Sequence, residues 1–502
     1  MTITKRHTAG VAAGHAETAN AAMCVLREGG NAFDAAIAAF LAACVAEPVL
    51  ASLGGGGFLV AKAADDEISV FDFFTETPLS RPLRDAVDFH PVNADFGGVL
   101  QEFHIGMGAV ATPGAVAGIF AVHDSLGRMP MADLVAPARA LAKDGMKLNP
   151  FQAYLLDVVR PIYRASASAR DLFCKTGGEK LLDAGDLYHP RAFADFLDAL
   201  VHEGAALFYK GDVAKQIAAM DGCTIGIEDL ARYRVERRQP LKSRCGAHDV
   251  YMNPPPAIGG ALIDYTLGFL AQTGLTSQDF GTQAHIQGLI SAMEACNQAR
   301  TASGIDTDAF SGTVALEGMG MHPPAYRGTT HISITDADGN LAALTVSNGE
   351  GCGHVVPGTG VMLNNMLGED DLNAAGFFAW PEGVRMSSMM TPGIMASPDG
   401  TWTAFGSGGS NRIRSALTQV ILNLCVFGQT MQEAVVHPRL HLEAEKLSLE
   451  PGIAAGLDWH GEIQIWPAPN MFFGGVHVIA RGPDGIISGA GDPRRDGVYL
   501  GN

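Results

Sequence analysis

Apolar residues recur at three- and four-residue spacing across residues 16–41, the period of helices with one buried face, and the pattern breaks at Glu28-Gly29-Gly30-Asn31. Two helices are expected there, the second capped by Asn31 or Asp34. A run of four glycines, Gly54 to Gly57, opens into the strand-like Phe58-Leu59-Val60. Residues 68–74 alternate as its hairpin partner, across a turn at 64–67. Residues 114–230 read as helical, with starts at Pro113-Gly114 and Pro130-Met131 and a stop at Asp144-Gly145, as if one helical layer covered a sheet. The break Asn253-Pro254-Pro255-Pro256 precedes helical text at 261–270 and 282–302. Residues 303–327 are a polar connection rich in glycine and proline, expected to be exposed.

Period-two alternation then takes over. Ile332 and Ile334 fall on one face of a strand, Asp338-Gly339-Asn340 turns the chain, and residues 341–346 return. A helix at 412–427 follows Gly406-Ser407-Gly408-Gly409-Ser410. Two short strands, at 476–480 and 486–487, are joined by Gly482-Pro483-Asp484-Gly485.

Composition narrows the function classes. A chain of 502 residues with 47% apolar composition can bury a large core. Its net charge of -19 opposes binding to nucleic acid or to an anionic membrane face. The eight cysteines show no CxxC pair and no zinc-ligand spacing, so they read as thiols of a reducing compartment. The amino terminus lacks an apolar signal core, and the apolar run at 35–50 is interrupted by Glu47-Pro48. A soluble cytoplasmic protein without metal or organic cofactor is the expectation.

The candidate chemistry sits at Thr329. It opens a hairpin strand, which is rigid support for a reactive group, and Gly328 before it has no side chain to obstruct attack on its carbonyl. Cleavage of the Gly328-Thr329 bond would leave a hydroxyl beside a free amine, whose ordinary pKa of about 7.7 to 8.0 suits a general base near neutral pH. His331 is then unnecessary as a base and reads as a structural hydrogen-bonding residue. The glycine run lacks the following Lys-Ser/Thr of a phosphate loop and reads as close backbone packing. Cys352, among glycines, has no Cys-His arrangement to activate it.

Motifs spread along the chain add a resemblance. Gly29-Gly30-Asn31-Ala32-Phe33-Asp34-Ala35-Ala36, Leu53 to Phe58, Thr112-Pro113-Gly114, Pro254 to Gly260, Thr329-Thr330-His331, Leu363-Asn364-Asn365, Ser387-Ser388-Met389, Gly406 to Ser410 and Asp492-Pro493-Arg494 resemble, in this order, the γ-glutamyltranspeptidase family of N-terminal-nucleophile hydrolases. The resemblance implies an α+β, four-layer αββα sandwich. It implies autocatalytic cleavage of one precursor into a large chain (1–328) and a small chain (329–502), with the pairing of two such heterodimers left open. Carried over by position, Thr329 is the nucleophile, Ser347 replaces a second family threonine that supports it, and Gly408 and Gly409 form the oxyanion hole. Ser387 and Ser388 match paired serines that bind a substrate carboxylate.

The departures bear on substrate. An arginine that grips the glutamyl carboxylate in the family is Phe74 here, and a phenyl ring cannot make a bidentate charged contact. A substrate-binding asparagine falls at Gly349, with Asn348 as its neighbouring substitute, and Glu369 remains able to receive an amino group. Arg385, Arg412 and Arg414 are candidate replacement cations, Arg385 favoured for its place beside the serines. The segment 373–384 is short for a lid, so an open cleft is expected, in which water competes as acceptor. The expected activity is an autoprocessing hydrolase of a small amide or γ-glutamyl-like substrate. A γ-glutamyl transferase with a rebuilt carboxylate site and an uncut binding homologue are the alternatives.

Overall fold

Two antiparallel sheets lie face to face, and helices cover the outer side of each, giving the four-layer αββα sandwich. The computed structural model describes residues 8–64, 67–95, 100–301, 328–373, 376–453 and 457–502. The connection expected at 303–327 and the tip of the turn at 64–67 lie outside the described residues. In one sheet the spatial order is Val498–Gly501, Gly10–Ala13, Gly328–Thr335, Leu341–Gly349, Gly56–Lys62, Ile68–Phe73 and Glu236–Arg238. In the other it is Ile487–Ala490, Gly475–Arg481, Trp402–Gly408, Gly393–Ala396, His248–Met252 and Leu241–Cys245. Segments on both sides of Gly328 therefore contribute strands to both sheets.

Three apolar clusters fill the three interfaces between layers. The first joins the helices Ala16–Arg27, Ala32–Ala46 and Met131–Asp144 to the outer face of the seven-stranded sheet. The helix Ala32–Ala46 is buried on every side except at Cys44, as a helix apolar all round must be. Asn31 starts it: its side chain accepts from the N–H groups of Phe33 and Asp34, and Asp34 accepts from the Asn31 N–H, a capping box that contributes about 1 kcal/mol. The second cluster packs Gly259–Ala271, Gln283–Thr301 and Arg412–Cys425 on the six-stranded sheet.

Between the sheets, Val60, Val70, Leu341 and Ala343 meet Ile394, Ala404, Ile479 and Ile487. Strand parity decides which side chains of the central hairpin point inward. Ile332, Ile334, Ala342, Leu344 and Val346 belong to the helix-side cluster, so Thr329, His331, Ser333, Thr345 and Ser347 face the opposite sheet. The inter-sheet layer is apolar at one end and polar at the other, where Thr329 lies.

Several strands carry no sequence signal. Gly10–Ala13, Val498–Gly501 and Gly393–Ala396 are four residues each, with one β-branched side chain apiece, too short to show an alternation. The region 114–230 is mainly helical, with a small ladder pairing Met146–Lys147 to Leu187–Tyr188. Among the described residues no helix is long and apolar enough to cross a membrane.

Candidate active site

Thr329 and Ser347 are direct cross-strand partners, and their ladder carries an irregularity at Gly328 and Thr329, because Gly328 pairs with Gly349 and Asn348 is skipped. Such a bulge re-aims side chains at the end of a ladder. The Thr329 hydroxyl donates to Ser347 Oγ at 3.3 Å, and Ser347 Oγ donates to the Gly328 carbonyl oxygen at 2.7 Å. The Gly349 N–H also donates to Ser347 Oγ, at 3.1 Å. Ser347 thus links the threonine hydroxyl to the carbonyl that precedes it. Thr329 and Ser347 are 3% and 5% exposed.

The opposite sheet closes on Thr329 from the other side. A Cβ at Gly408 would sit 2.2 Å from the Thr329 carbonyl oxygen, so only glycine fits. Gly409 has φ +125°, and Ser410 follows at φ +54°, a non-glycine residue held in the left-handed region. Its hydroxyl donates to Asp371 Oδ2 at 2.8 Å, which fixes the turn where the helix Arg412–Cys425 begins.

Phe74, Thr329, Ser347, Glu369, Ser388 and Ser410 share a narrow cavity of about 20 Å³, whose remaining walls are Met366, Leu372, Met389, Met390 and Ile413. Phe74 is held by stacking on Phe58, with ring centroids 5.5 Å apart. Five of the residues assigned to the site from sequence, Thr329, Ser347, Phe74, Glu369 and Ser388, are therefore brought together. Gly408 abuts Thr329 without lining the cavity, and Gly409 lies against Gly474 and Arg495.

Asn348, Ser387 and Arg385 are not among the lining residues. Asn348 donates its amide to the Met362 and Leu363 carbonyls. A side chain at Gly349, the position of the family asparagine, would lie 2.2 Å from Asn365 Oδ1 and from Glu369 Oε1, so Glu369 occupies that space. Ser387 sits one residue before the lining and has a buried hydroxyl with no hydrogen-bond partner among the described residues.

Arg385 is engaged elsewhere. It bridges Asp72 at 3.6 Å and Glu76 at 3.1 Å, stacks over Tyr233 and donates to the Phe74 carbonyl and the Tyr233 hydroxyl. Burial draws its pKa down, and Tyr233, Asp72 and Glu76 outweigh that and raise it. It clamps the backbone behind Phe74 and does not face the cavity. Arg412 donates to the Phe472 carbonyl, and Arg414 pairs with Glu443 at 3.2 Å.

The cleft expected to be open is narrow, because apolar side chains, three of them methionines, fill it. In the short segment 373–384, Phe378 and Trp380 meet at a tilt with ring centroids 5.2 Å apart, and Phe377 and Phe378 both meet Phe89 edge-on. His331 is fully buried and hydrogen-bonded to Thr345 and Ser333, and burial holds its pKa well below the usual value. It is a neutral structural residue. Burial pushes the Cys352 thiol up to about 12, the opposite of an activated nucleophile.

Three charged residues at the site were not singled out from sequence. Arg495 donates to the Thr329 carbonyl oxygen at 3.3 Å. Burial lowers its pKa to about 10, opposed by Glu350, Asp492 and Glu47, so it is charged at neutral pH. Its neighbours in the chain are paired in turn: Asp492 bridges Arg439 at 2.7 Å, and Arg494 bridges Glu450 at 2.5 Å. Glu47 accepts from the hydroxyls of Thr18 at 2.6 Å and Thr330 at 2.7 Å. Burial raises its pKa. Its signal was a lone carboxylate in an apolar run. Glu350 accepts from the Gly328 N–H at 2.8 Å, with no local pattern to announce it.

Comparison with known proteins agrees with this geometry. The family model for γ-glutamyltranspeptidase matches residues 18–326 and 307–502. The glutathione hydrolase proenzyme of Escherichia coli (strain K12) is 29% identical over 522 residues, covering 94% of this chain and 87% of that protein. The capsule biosynthesis protein CapD proenzyme of Bacillus anthracis is 29% identical, covering 99% and 91%. In fold, the chain superposes on cephalosporin acylase from Bacillus halodurans with a TM-score of 0.81 at 24% identity, covering 99% of this chain and 96% of that one. The chain belongs to the γ-glutamyltranspeptidase family and is an enzyme of the N-terminal-nucleophile hydrolase type acting on amide bonds.

Proposed function

We propose that the chain cuts itself between Gly328 and Thr329 and that the exposed Thr329 then hydrolyses a small amide through an acyl-threonine ester. The observation that carries this is the contiguous set Thr329 Oγ, Ser347 Oγ and Gly328 O. In the first step Thr329 Oγ bonds to the Gly328 carbonyl carbon and gives up its proton. The carbon–nitrogen bond breaks, and the Thr329 nitrogen takes that proton. Water then hydrolyses the ester, leaving the Gly328 carboxyl group and the free Thr329 hydroxyl and amine. Both curated relatives named above carry the word proenzyme in their names, which supports such a step.

In turnover the Thr329 amine accepts the hydroxyl proton as the oxygen attacks the substrate carbonyl, and passes it to the departing amine. Arg495, which donates to the Thr329 carbonyl, holds the residue that carries this amine. Gly408 and Gly409 are assigned the oxyanion hole. An N–H donor in that role is worth about 3 kcal/mol of transition-state stabilisation.

For the substrate we infer an amide with an apolar acyl part, of the acylase kind, in preference to a γ-glutamyl compound. Among the described residues that line the cavity there is no Arg, Lys or His to meet an α-carboxylate, and Phe74, Met366, Leu372, Met389, Met390 and Ile413 offer apolar contacts. Methionine side chains adapt readily to varied acyl shapes. Glu369 suits an amino group on the substrate.

Denaturing electrophoresis tests the first claim. Wild type is expected as two bands summing to the full chain and Thr329→Ala as one. A wild type that stays whole and releases no amine from a panel of amides sinks the reading. In that panel, apolar N-acyl amides are expected to exceed γ-glutamyl anilide in kcat/KM, and the reverse order overturns the substrate assignment.

A further inference from the structure

The residue before the scissile bond is held more firmly than a strand end requires. In a regular antiparallel ladder alternate backbone N–H groups donate to carbonyls of the partner strand, but at Gly328 the register is irregular and Asn348 is skipped. The donation goes instead to a side chain, Glu350 Oε1, at 2.8 Å. Glu350 is 2% exposed. Its own N–H donates to Asn365 Oδ1 at 2.8 Å, which fixes the loop that carries it.

The glycines on either side make this return possible. Gly349 has φ +62° and Gly351 has φ +88°, conformations that turn the backbone tightly enough for a side chain two residues beyond the bulge to fold back on the strand. The site leaves no space for a larger residue at 328. A Cβ there would lie 2.4 Å from the Gly349 carbonyl oxygen and 2.4 Å from the Val49 carbonyl oxygen. Gly328 is thus gripped at its N–H by Glu350, at its carbonyl by Ser347, and on its flank by two backbone carbonyls.

We propose that Glu350 is a positioning residue for self-cleavage, whose carboxylate fixes the Gly328 peptide so that its carbonyl carbon stays in front of Thr329 Oγ. This rests on the reading that the Gly328–Thr329 bond is cut. The carboxylate takes no proton in this role and forms no covalent bond. It restricts rotation of one residue, and such restriction matters most when a single near-attack geometry must be held.

The test uses the full-length chain and the rate at which it becomes two bands. Glu350→Ala is expected to be cut at least about tenfold more slowly than wild type, by the loss of the hydrogen bond that fixes the Gly328 peptide. Glu350→Gln keeps an acceptor oxygen at the same reach and is expected to be cut at close to the wild-type rate. Glu350→Asp keeps the charge but withdraws the oxygen by one methylene and is expected to be slow. A residue that merely supports the fold through its charge would give the opposite order for Gln and Asp, and that order overturns the proposal. So does cleavage of Glu350→Asp at the wild-type rate. Gly328→Ala, with its Cβ against two carbonyls, is expected to be slow for the same reason, and normal cleavage there also counts against it. If wild type itself is never cut, self-cleavage fails and this assignment fails with it; if wild type is cut and Glu350→Asp is cut as fast, only the role of Glu350 is lost.

Discussion

At the scale of single residues, Ser347 is the most constrained position. Its hydroxyl accepts from Thr329 and Gly349 and donates to Gly328, so all of its hydrogen-bonding capacity is used. Ser347→Ala leaves the buried Gly349 N–H without that acceptor and frees the Thr329 hydroxyl to rotate. Self-cleavage is expected to fall by about ten- to a hundredfold, the effect of losing one or two such bonds, and Ser347→Thr is expected to restore most of it, by electrophoretic time course. Thr329 and Ser347 were legible in the sequence through the family motif, and the hairpin brings these residues, eighteen apart, face to face. Arg495 was not, since its contact with Thr329 spans 166 residues. Arg385 shows the opposite limit. Its adjacency to the paired serines was visible, but the acids Asp72 and Glu76 that hold it are some three hundred residues away and turn it from the cavity.

At the scale of elements, the glycine run before Phe58 sets how closely the strands approach Thr329. A Cβ at Gly55 would lie 2.1 Å from the Ser347 carbonyl oxygen, and at Gly57 2.4 Å from the Thr345 carbonyl. Close backbone packing, read from the glycines alone, is what the strands show. Gly55→Ala is expected to push the Leu341–Gly349 strand outward, cost about 1 to 3 kcal/mol of stability as overpacking does, and slow self-cleavage by displacing Ser347. Gly268, inside the helix Gly259–Ala271, has nothing within 4 Å of its would-be Cβ. Gly268→Ala is expected to stabilise by up to about 1 kcal/mol and leave cleavage unchanged. Thermal midpoints and cleavage rates on the two variants check the contrast, and equal effects would contradict it. Helices with capping residues, such as the one started by Asn31, could be read in advance because their signals are local. The edge strand Val498–Gly501 and its neighbour Gly10–Ala13 could not, since they exist only through pairing with each other and with Gly328–Thr335.

At the scale of the whole molecule, the two segments flanking Gly328 share both sheets, so a cut at that bond does not create two independent bodies. The same inter-sheet packing makes the fold sensitive to acid. His331 and His477 lie together between the sheets, where Ser333 donates to the His477 carbonyl at 3.2 Å, and His441 sits under the helix Arg412–Cys425. Burial holds His477 and His441 down to about 4 and His331 well below its usual value. Between pH 6.5 and about 4 the unfolded chain therefore binds protons that the folded chain refuses, and stability falls as pH falls through that window. Each such histidine contributes a slope of up to about 1.4 kcal/mol per pH unit. Glu47, Glu76 and Asp496 oppose this, because burial raises their pKa values and lets the folded state take up a proton sooner than the unfolded chain does, but among the described residues burial also lowers His15, His104, His285 and His437, which act in the same sense as His331, His441 and His477. Glu443, lowered to about 2 because His441, Arg414 and Arg300 outweigh the cost of burial, adds its own loss only between about pH 4.5 and 2. The thermal midpoint of the uncut Thr329→Ala chain is thus expected to decline steadily from pH 6.5 to 4.5, before most carboxylates titrate. His477→Gln, which removes one of the buried imidazoles, is expected to flatten that decline, and a midpoint constant from pH 7 to 4.5 would show that the buried histidines do not govern it.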